Sequence, residues 1–129
     1  MVCCIVSYKG VSHPVFVNPE QTKVNAENYT NHLKDDLILQ NVEHFIRQTL
    51  IFVQDRAPSH TSSLCQNFLK TTIGDRFITK QSWPPYFPDC NPLDYYIWSA
   101  LRIKVYEDRR DPFQDLNELQ ERIQAVWNE

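Results

Sequence analysis

Two aspartates occupy positions where this sequence can do chemistry. Asp55 follows the apolar run Leu50-Ile51-Phe52-Val53 and Gln54, and Asp94 follows Asn91-Pro92-Leu93. The first pattern predicts a central strand buried on both faces, with an acid at its carboxyl end. The second predicts the first turn of a helix, with Asn91 as its cap and Pro92 as its first residue. Ligands of α/β sheets gather beyond the carboxyl ends of strands. Two carboxylates brought together there form a hard oxygen site suited to Mg or Mn. A pair of such ions about 4 Å apart activates a water or hydroxyl against a phosphodiester and stabilises the leaving oxygen. The same residues also have simpler readings. Gln54-Asp55-Arg56-Ala57-Pro58 has the composition of a turn, and an acid in a first helical turn gains about 0.3–1 kcal/mol from the helix dipole alone. Spacing by itself leaves both open.

The elements that must hold these acids can be read along the chain. Val2 to Tyr8 and His13 to Val17 predict two strands of a hairpin, turned at Lys9-Gly10 and ended by Pro19. Asn25 predicts a helix cap, with Tyr29, His32 and Leu33 on one face. Helical spacing continues through Ile38, Val42, Phe45 and Ile46, with a break expected at Asp35-Asp36. Pro58 and Ser59 open a helix carrying Leu64, Cys65, Phe68 and Leu69, stopped at Gly74. Phe77 to Thr79 predicts a short strand. Trp83 to Cys90 contains three prolines and predicts a rigid extended loop. Leu93, Ile97, Leu101 and Val105 follow at steps of four, and Asp111-Pro112 signals a last helix bearing Leu116, Leu119, Ile123, Val126 and Trp127. Alternating strands and helices predict an α/β fold.

Composition narrows the chemistry further. The chain has 129 residues, a length that fits one domain. Two isolated glycines, Gly10 and Gly74, cannot form a Gly-rich phosphate loop. No apolar run approaches the roughly 18 residues of a membrane span, and MVCCIVSYKG has no basic region of a signal peptide. Thirteen basic against sixteen acidic residues give a net charge of −3. DNA binding by electrostatics alone usually calls for a basic domain, so nucleic-acid contact must come from local patches, a metal or a partner. Cys3, Cys4, Cys65 and Cys90 lack zinc-site spacing and predict reduced, buried thiols.

Other side chains near these positions carry paired readings. His60 either orients the Asp55 carboxylate or touches phosphate, or else bonds backbone at a helix start. His13, His32 and His44 read as ordinary residues. Arg102, Lys104, Arg109 and Arg110 either meet phosphates or form a solvated face diluted by Glu107, Asp108 and Asp111. Trp83, Tyr86 and Phe87 either stack on bases or pack their loop onto the core. Trp98 and Trp127 read as core.

Two strings resemble a known family. Ile51-Phe52-Val53-Gln54-Asp55-Arg56-Ala57-Pro58-Ser59-His60-Thr61 resembles the apolar strand and Gln-Asp-Asn-Ala-Pro-x-His signature of mariner-type transposases, with Arg56 in place of Asn. Trp83-Pro84-Pro85-Tyr86-Phe87-Pro88-Asp89-Cys90-Asn91-Pro92-Leu93-Asp94 is similar to that family's Trp-Pro-Pro-x-Ser-Pro-Asp-Leu-Asn-Pro-x-Asp/Glu, with Phe87 for Ser and Cys90 for Leu. Tyr95-Tyr96-Ile97-Trp98 matches the aromatic start of the following helix. The resemblance covers essentially the whole chain: Met1 to Val17 is similar to the family's second and third strands, and Val24 to Leu33 to the start of its first helix.

The resemblance implies a ribonuclease-H-like α/β fold, with a mixed sheet flanked by helices, and cut-and-paste DNA transposition using Mg or Mn. Asp55 and Asp94 take the places of the second and third catalytic acids and of metal ligands, while His60, Asn91 and Arg102 are placed to orient carboxylates or contact DNA. The family's first acid lies on a central first strand upstream of the hairpin, and no residue here matches it. The expectation is therefore a single truncated catalytic domain over residues 1–129, without the helix-turn-helix domains that read transposon ends. Such a chain binds metal weakly and does not cleave DNA alone. Its unpaired strand edges invite a second copy. The implied partner is DNA and the implied location the nucleus, with no membrane. Two other readings are a nuclease that borrows its third acid within a dimer, and a domesticated nucleic-acid- or protein-binding module without chemistry.

Overall fold

Gly10, held at φ +138° where a side chain is strained, turns the N-terminal apolar stretch back on itself. The computed structural model describes residues 1–8, 10–17, 24–38, 51–84 and 88–129. Strand β1 (Val2–Cys3) pairs antiparallel with β4 (Val15–Phe16), and β2 (Val6–Ser7) with β3 (Gly10–Val11). The predicted hairpin is present as these two short ladders. Ser12 bridges the gap between them: its N–H donates to the Ile5 carbonyl and its Oγ accepts from the Ile5 N–H, both at 2.8 Å.

Asn25 caps helix α1 (Ala26–His32), its side-chain oxygen accepting the Asn28 N–H at 2.8 Å. The expected break at Asp35-Asp36 does not occur. The chain instead widens into a π-helical stretch, Leu33–Ile38, running through both aspartates. The predicted continuation through Val42, Phe45 and Ile46 lies outside the described residues, as do Pro19, His44, Tyr86 and Phe87.

The 51–54 run corrects a second expectation. Phe52 and Gln54 are buried, but Ile51 is 62% and Val53 40% exposed, so one face of this segment is covered and the other is not. A strand's side chains alternate faces, and here one layer receives them. A single parallel bridge joins Phe52 to Phe77, with the Phe52 N–H donating to the Arg76 carbonyl at 2.7 Å and the Ile78 N–H to the Phe52 carbonyl at 3.0 Å.

The helix predicted after Pro58 is split. One turn, α2 (Pro58–Thr61), stops at Ser62, whose extended backbone and side chain start α3 (Ser63–Ile73). Gly74 ends α3 at φ +66°. Cys65, Leu69 and Ile73, four residues apart, form the buried stripe of α3 and join Tyr29, Leu33, Phe52 and Phe77 in one core.

Two compact units divide the chain, Met1–Phe87 and Pro88–Glu129. In the second, a 3-10 turn (Pro88–Cys90) and a π-helical turn (Leu93–Ile97) lead into α4 (Trp98–Tyr106), followed by α5 (Leu116–Trp127). Trp98 stacks on Trp127 at 6.4 Å between ring centroids, and Val105 and Val126 are buried. Arg122 of α5 donates to the Val105 carbonyl at 3.4 Å and, at 2.9 Å, to the Lys104 carbonyl, which also accepts the Glu107 N–H at the helix end.

The last helix does not start at Asp111-Pro112. Asp115 caps it, accepting the Glu118 N–H at 2.9 Å, while Glu118 reaches back to accept the Gln114 N–H at 2.6 Å. This reciprocal arrangement satisfies two amides at once and prevails over a proline start. Asp115→Ala is expected to cost about 0.5–2 kcal/mol, read as a lowered urea midpoint by the fluorescence of Trp98 and Trp127.

Among the described residues the architecture is mixed α/β, with five α-helices and two two-stranded antiparallel sheets. No described helix is long and apolar enough to cross a membrane.

Candidate functional site

Asp55 lies where the covered segment ends and the chain turns toward α2. Its Oδ1 accepts the Ala57 N–H at 2.9 Å, the local bond that an Asp-initiated turn makes. The same oxygen lies 2.5 Å from His60 Nδ1. The approach is oblique, so this is a close polar contact rather than an in-line hydrogen bond. The Asp55 side chain is 45% exposed and that of His60 21%. Oδ2 of Asp55 has no partner among the described residues.

Buried groups hold this turn from behind. Gln54, facing inward beside Phe52, accepts from the Tyr29 hydroxyl at 2.8 Å and donates to the His60 carbonyl at 3.1 Å. Its amide also lies 3.9 Å from Cys65 Sγ. Gln66 of α3 donates to the same His60 carbonyl at 3.0 Å, and its oxygen accepts the Lys80 N–H at 3.2 Å. The Lys80 ammonium donates to the Thr61 carbonyl at 3.2 Å. The His60 ring packs on that of Tyr29, with centroids 4.2 Å apart. Three elements, α1, the 51–54 segment and α3, thus converge on the five residues after Asp55.

The electrostatics follow from this placement. The His60 imidazole holds the Asp55 carboxyl below its usual pKa, partial burial opposes this, and the Ala57 amide assists it. Burial raises the Tyr29 hydroxyl and the Cys3 and Cys65 thiols, and pushes Cys4 up to about 12. Because folding lowers the Asp55 pKa, its ionised form adds stability that is complete above the ordinary Asp value, about 3.9. That stability is lost as pH falls through the folded value. The stability difference between wild type and Asp55→Asn should therefore shrink in urea titrations carried from pH 7 toward pH 3.

Asp94 belongs to the other unit. It is exposed, and its Oδ2 accepts from the Asn91 side-chain amide at 2.8 Å. Asn91 Oδ1 in turn accepts the Leu93 N–H at 3.2 Å, and the Asn91 carbonyl accepts the Asp94 N–H at 2.9 Å. Asn91 therefore accepts an amide of the turn and also fixes the acid, while Pro92 stands at the cap position of the π-helical turn. Arg102 is exposed on α4. Arg109 is committed elsewhere: it pairs with Glu118 at 2.6 Å and lies 3.8 Å over the Phe113 ring. Trp83 is buried, which favours packing of its loop over base stacking.

Both aspartates are hard oxygen donors, and the uncommitted Oδ2 of Asp55 suits a hydrated Mg or Mn ion. No group of three His, Cys, Asp or Glu side chains converges as a ready metal cage among the described residues. The structure brings Asp55 together with His60, and Asp94 with Asn91. Sequence reasoning missed Gln54 and Tyr29 as parts of this arrangement. Gln54 had a signal: alternation from Phe52 places its polar side chain inward, where it must find partners. No family model, curated protein or solved structure matches the chain.

Proposed function

We propose that this chain is part of the catalytic domain of a mariner-type DNA transposase with a ribonuclease-H-like arrangement. The observation that carries the reading is the division of labour within Gln54-Asp55-Arg56-Ala57-Pro58-Ser59-His60. Gln54 is buried and braces the turn, Ala57 bonds the acid, Pro58 opens α2, and His60 meets the carboxylate. A simple surface turn needs none of the inward contacts.

In this reading Asp55 and Asp94 hold Mg or Mn, and DNA in the nucleus is the partner. The metal supplies Lewis acidity toward a phosphodiester when bound. The chain's own residues present and orient carboxylates. Ala57 bonds Asp55, Asn91 fixes Asp94, and Arg102 offers a cation to phosphate. This sequence matches two of the family's three acids, so strand cleavage by the chain alone is not expected.

Manganese titration followed by the paramagnetic resonance of free Mn²⁺ tests the reading. Weak binding is expected, reduced in both Asp55→Asn and Asp94→Asn, with no nicking of supercoiled plasmid. Binding that is the same in wild type and both variants overturns the metal-site reading. Metal-dependent nicking that disappears in Asp55→Ala and Asp94→Ala overturns the expectation of inactivity.

A further inference from the structure

We infer that His60 is a positioning residue for a divalent cation. Its imidazole lies against Oδ1 of Asp55 so that Oδ2 is presented to a hard metal ion from outside. The inference rests on the metal-site reading above and adds the group that orients the ligand.

The geometry carries it in three steps. First, His60 is itself constrained. Its carbonyl receives hydrogen bonds from both Gln54 and Gln66, at 3.1 and 3.0 Å, and its ring lies against Tyr29 at 4.2 Å. Second, the constrained ring directs its buried nitrogen to one oxygen of Asp55, 2.5 Å away, where the Ala57 amide also arrives at 2.9 Å. The Ala57 hydrogen bond and the imidazole contact, both on Oδ1, restrict rotation of the carboxylate about its own axis. Third, Oδ2 has no partner among the described residues and the side chain is 45% exposed. A carboxylate held by one oxygen with the other presented outward suits monodentate binding of Mg or Mn, whose remaining positions water can fill. Groups that orient a ligand through hydrogen bonds change metal affinity without touching the ion.

Two substitutions separate positioning from packing. His60→Phe keeps a ring on Tyr29 and removes the nitrogen that meets Oδ1. His60→Asn removes the ring and keeps a polar side-chain atom about where Nδ1 stands. Mn²⁺ alone is the probe, titrated into the full chain and followed by paramagnetic resonance, with circular dichroism confirming the fold of each variant. His60→Phe is expected to weaken Mn²⁺ binding about tenfold, while His60→Asn retains most of the affinity. A role in packing alone gives the opposite order. Wild-type affinity in His60→Phe, or a loss in folded His60→Asn as large as that in Asp55→Asn, overturns the inference while leaving the metal-site reading intact. If Asp55→Asn itself binds Mn²⁺ like wild type, the metal-site reading falls and the inference with it. Should His60→Phe fail to fold, His60→Asn decides alone by the same criterion.

Discussion

Leu69→Ala is expected to destabilise the unit Met1–Phe87 by about 2–5 kcal/mol, the largest single effect foreseen for this chain. Leu69 is 0% exposed at the centre of the core that joins α1, α3 and the Phe52–Phe77 bridge. Removing three carbons there forfeits their transfer from water and leaves a void, because neighbours on three different elements cannot all close in. Domains of this size have total stabilities of about 5–15 kcal/mol, so the substitution removes a large share. Urea unfolding checks it through a lower midpoint at unchanged slope. Leu64, five positions earlier on the same helix and 51% exposed, is the control. Leu64→Ala should stay within about 0.5 kcal/mol of wild type.

Gln54→Ala is expected to cost about 1–3 kcal/mol. The substitution strips the buried Tyr29 hydroxyl of its 2.8 Å acceptor and removes one of two donors to the His60 carbonyl. The surviving Gln66 bond limits the second loss, so most of the cost comes from the hydroxyl. A double-mutant cycle with Tyr29→Phe measures this directly. Once the hydroxyl is gone, removing Gln54 should cost less, giving a coupling of about 0.5–3 kcal/mol. Additive losses would mean that the two side chains do not depend on each other.

Local signals in the sequence located several elements correctly. Asn25 capped its helix, and Gly74 ended another at positive φ. Each depends on a few neighbouring residues, which a sequence displays side by side. Features set by competition or by distant partners were not visible. The run Leu50 to Val53 is apolar throughout, but burial depends on how many layers cover it, and one face of the described part is uncovered. Asp111-Pro112 and Asp115-x-x-Glu118 both signal a helix start, and only the second satisfies two amides. The π-helical turns at Leu33–Ile38 and Leu93–Ile97 change the spacing on which helical periodicity relies. At the site, Asp55 and His60 stood out because they are close in sequence. The Tyr29–Gln54 bond spans 25 positions and had no local trace. Arg109 read as a free cation but serves Glu118 and Phe113 within its own unit.

The four cysteines are all free, and their surroundings differ. Cys4 and Cys65 are buried, Cys3 is partly buried, and burial keeps all three protonated well above neutral pH. Cys90 is exposed in the turn just before Asn91 and Asp94. Alkylating reagents require an accessible thiolate, so a maleimide at neutral pH meets one sulfur well ahead of the others. The chain thus carries a built-in attachment point for a fluorophore or spin label beside Asp94, usable without substituting any of its cysteines.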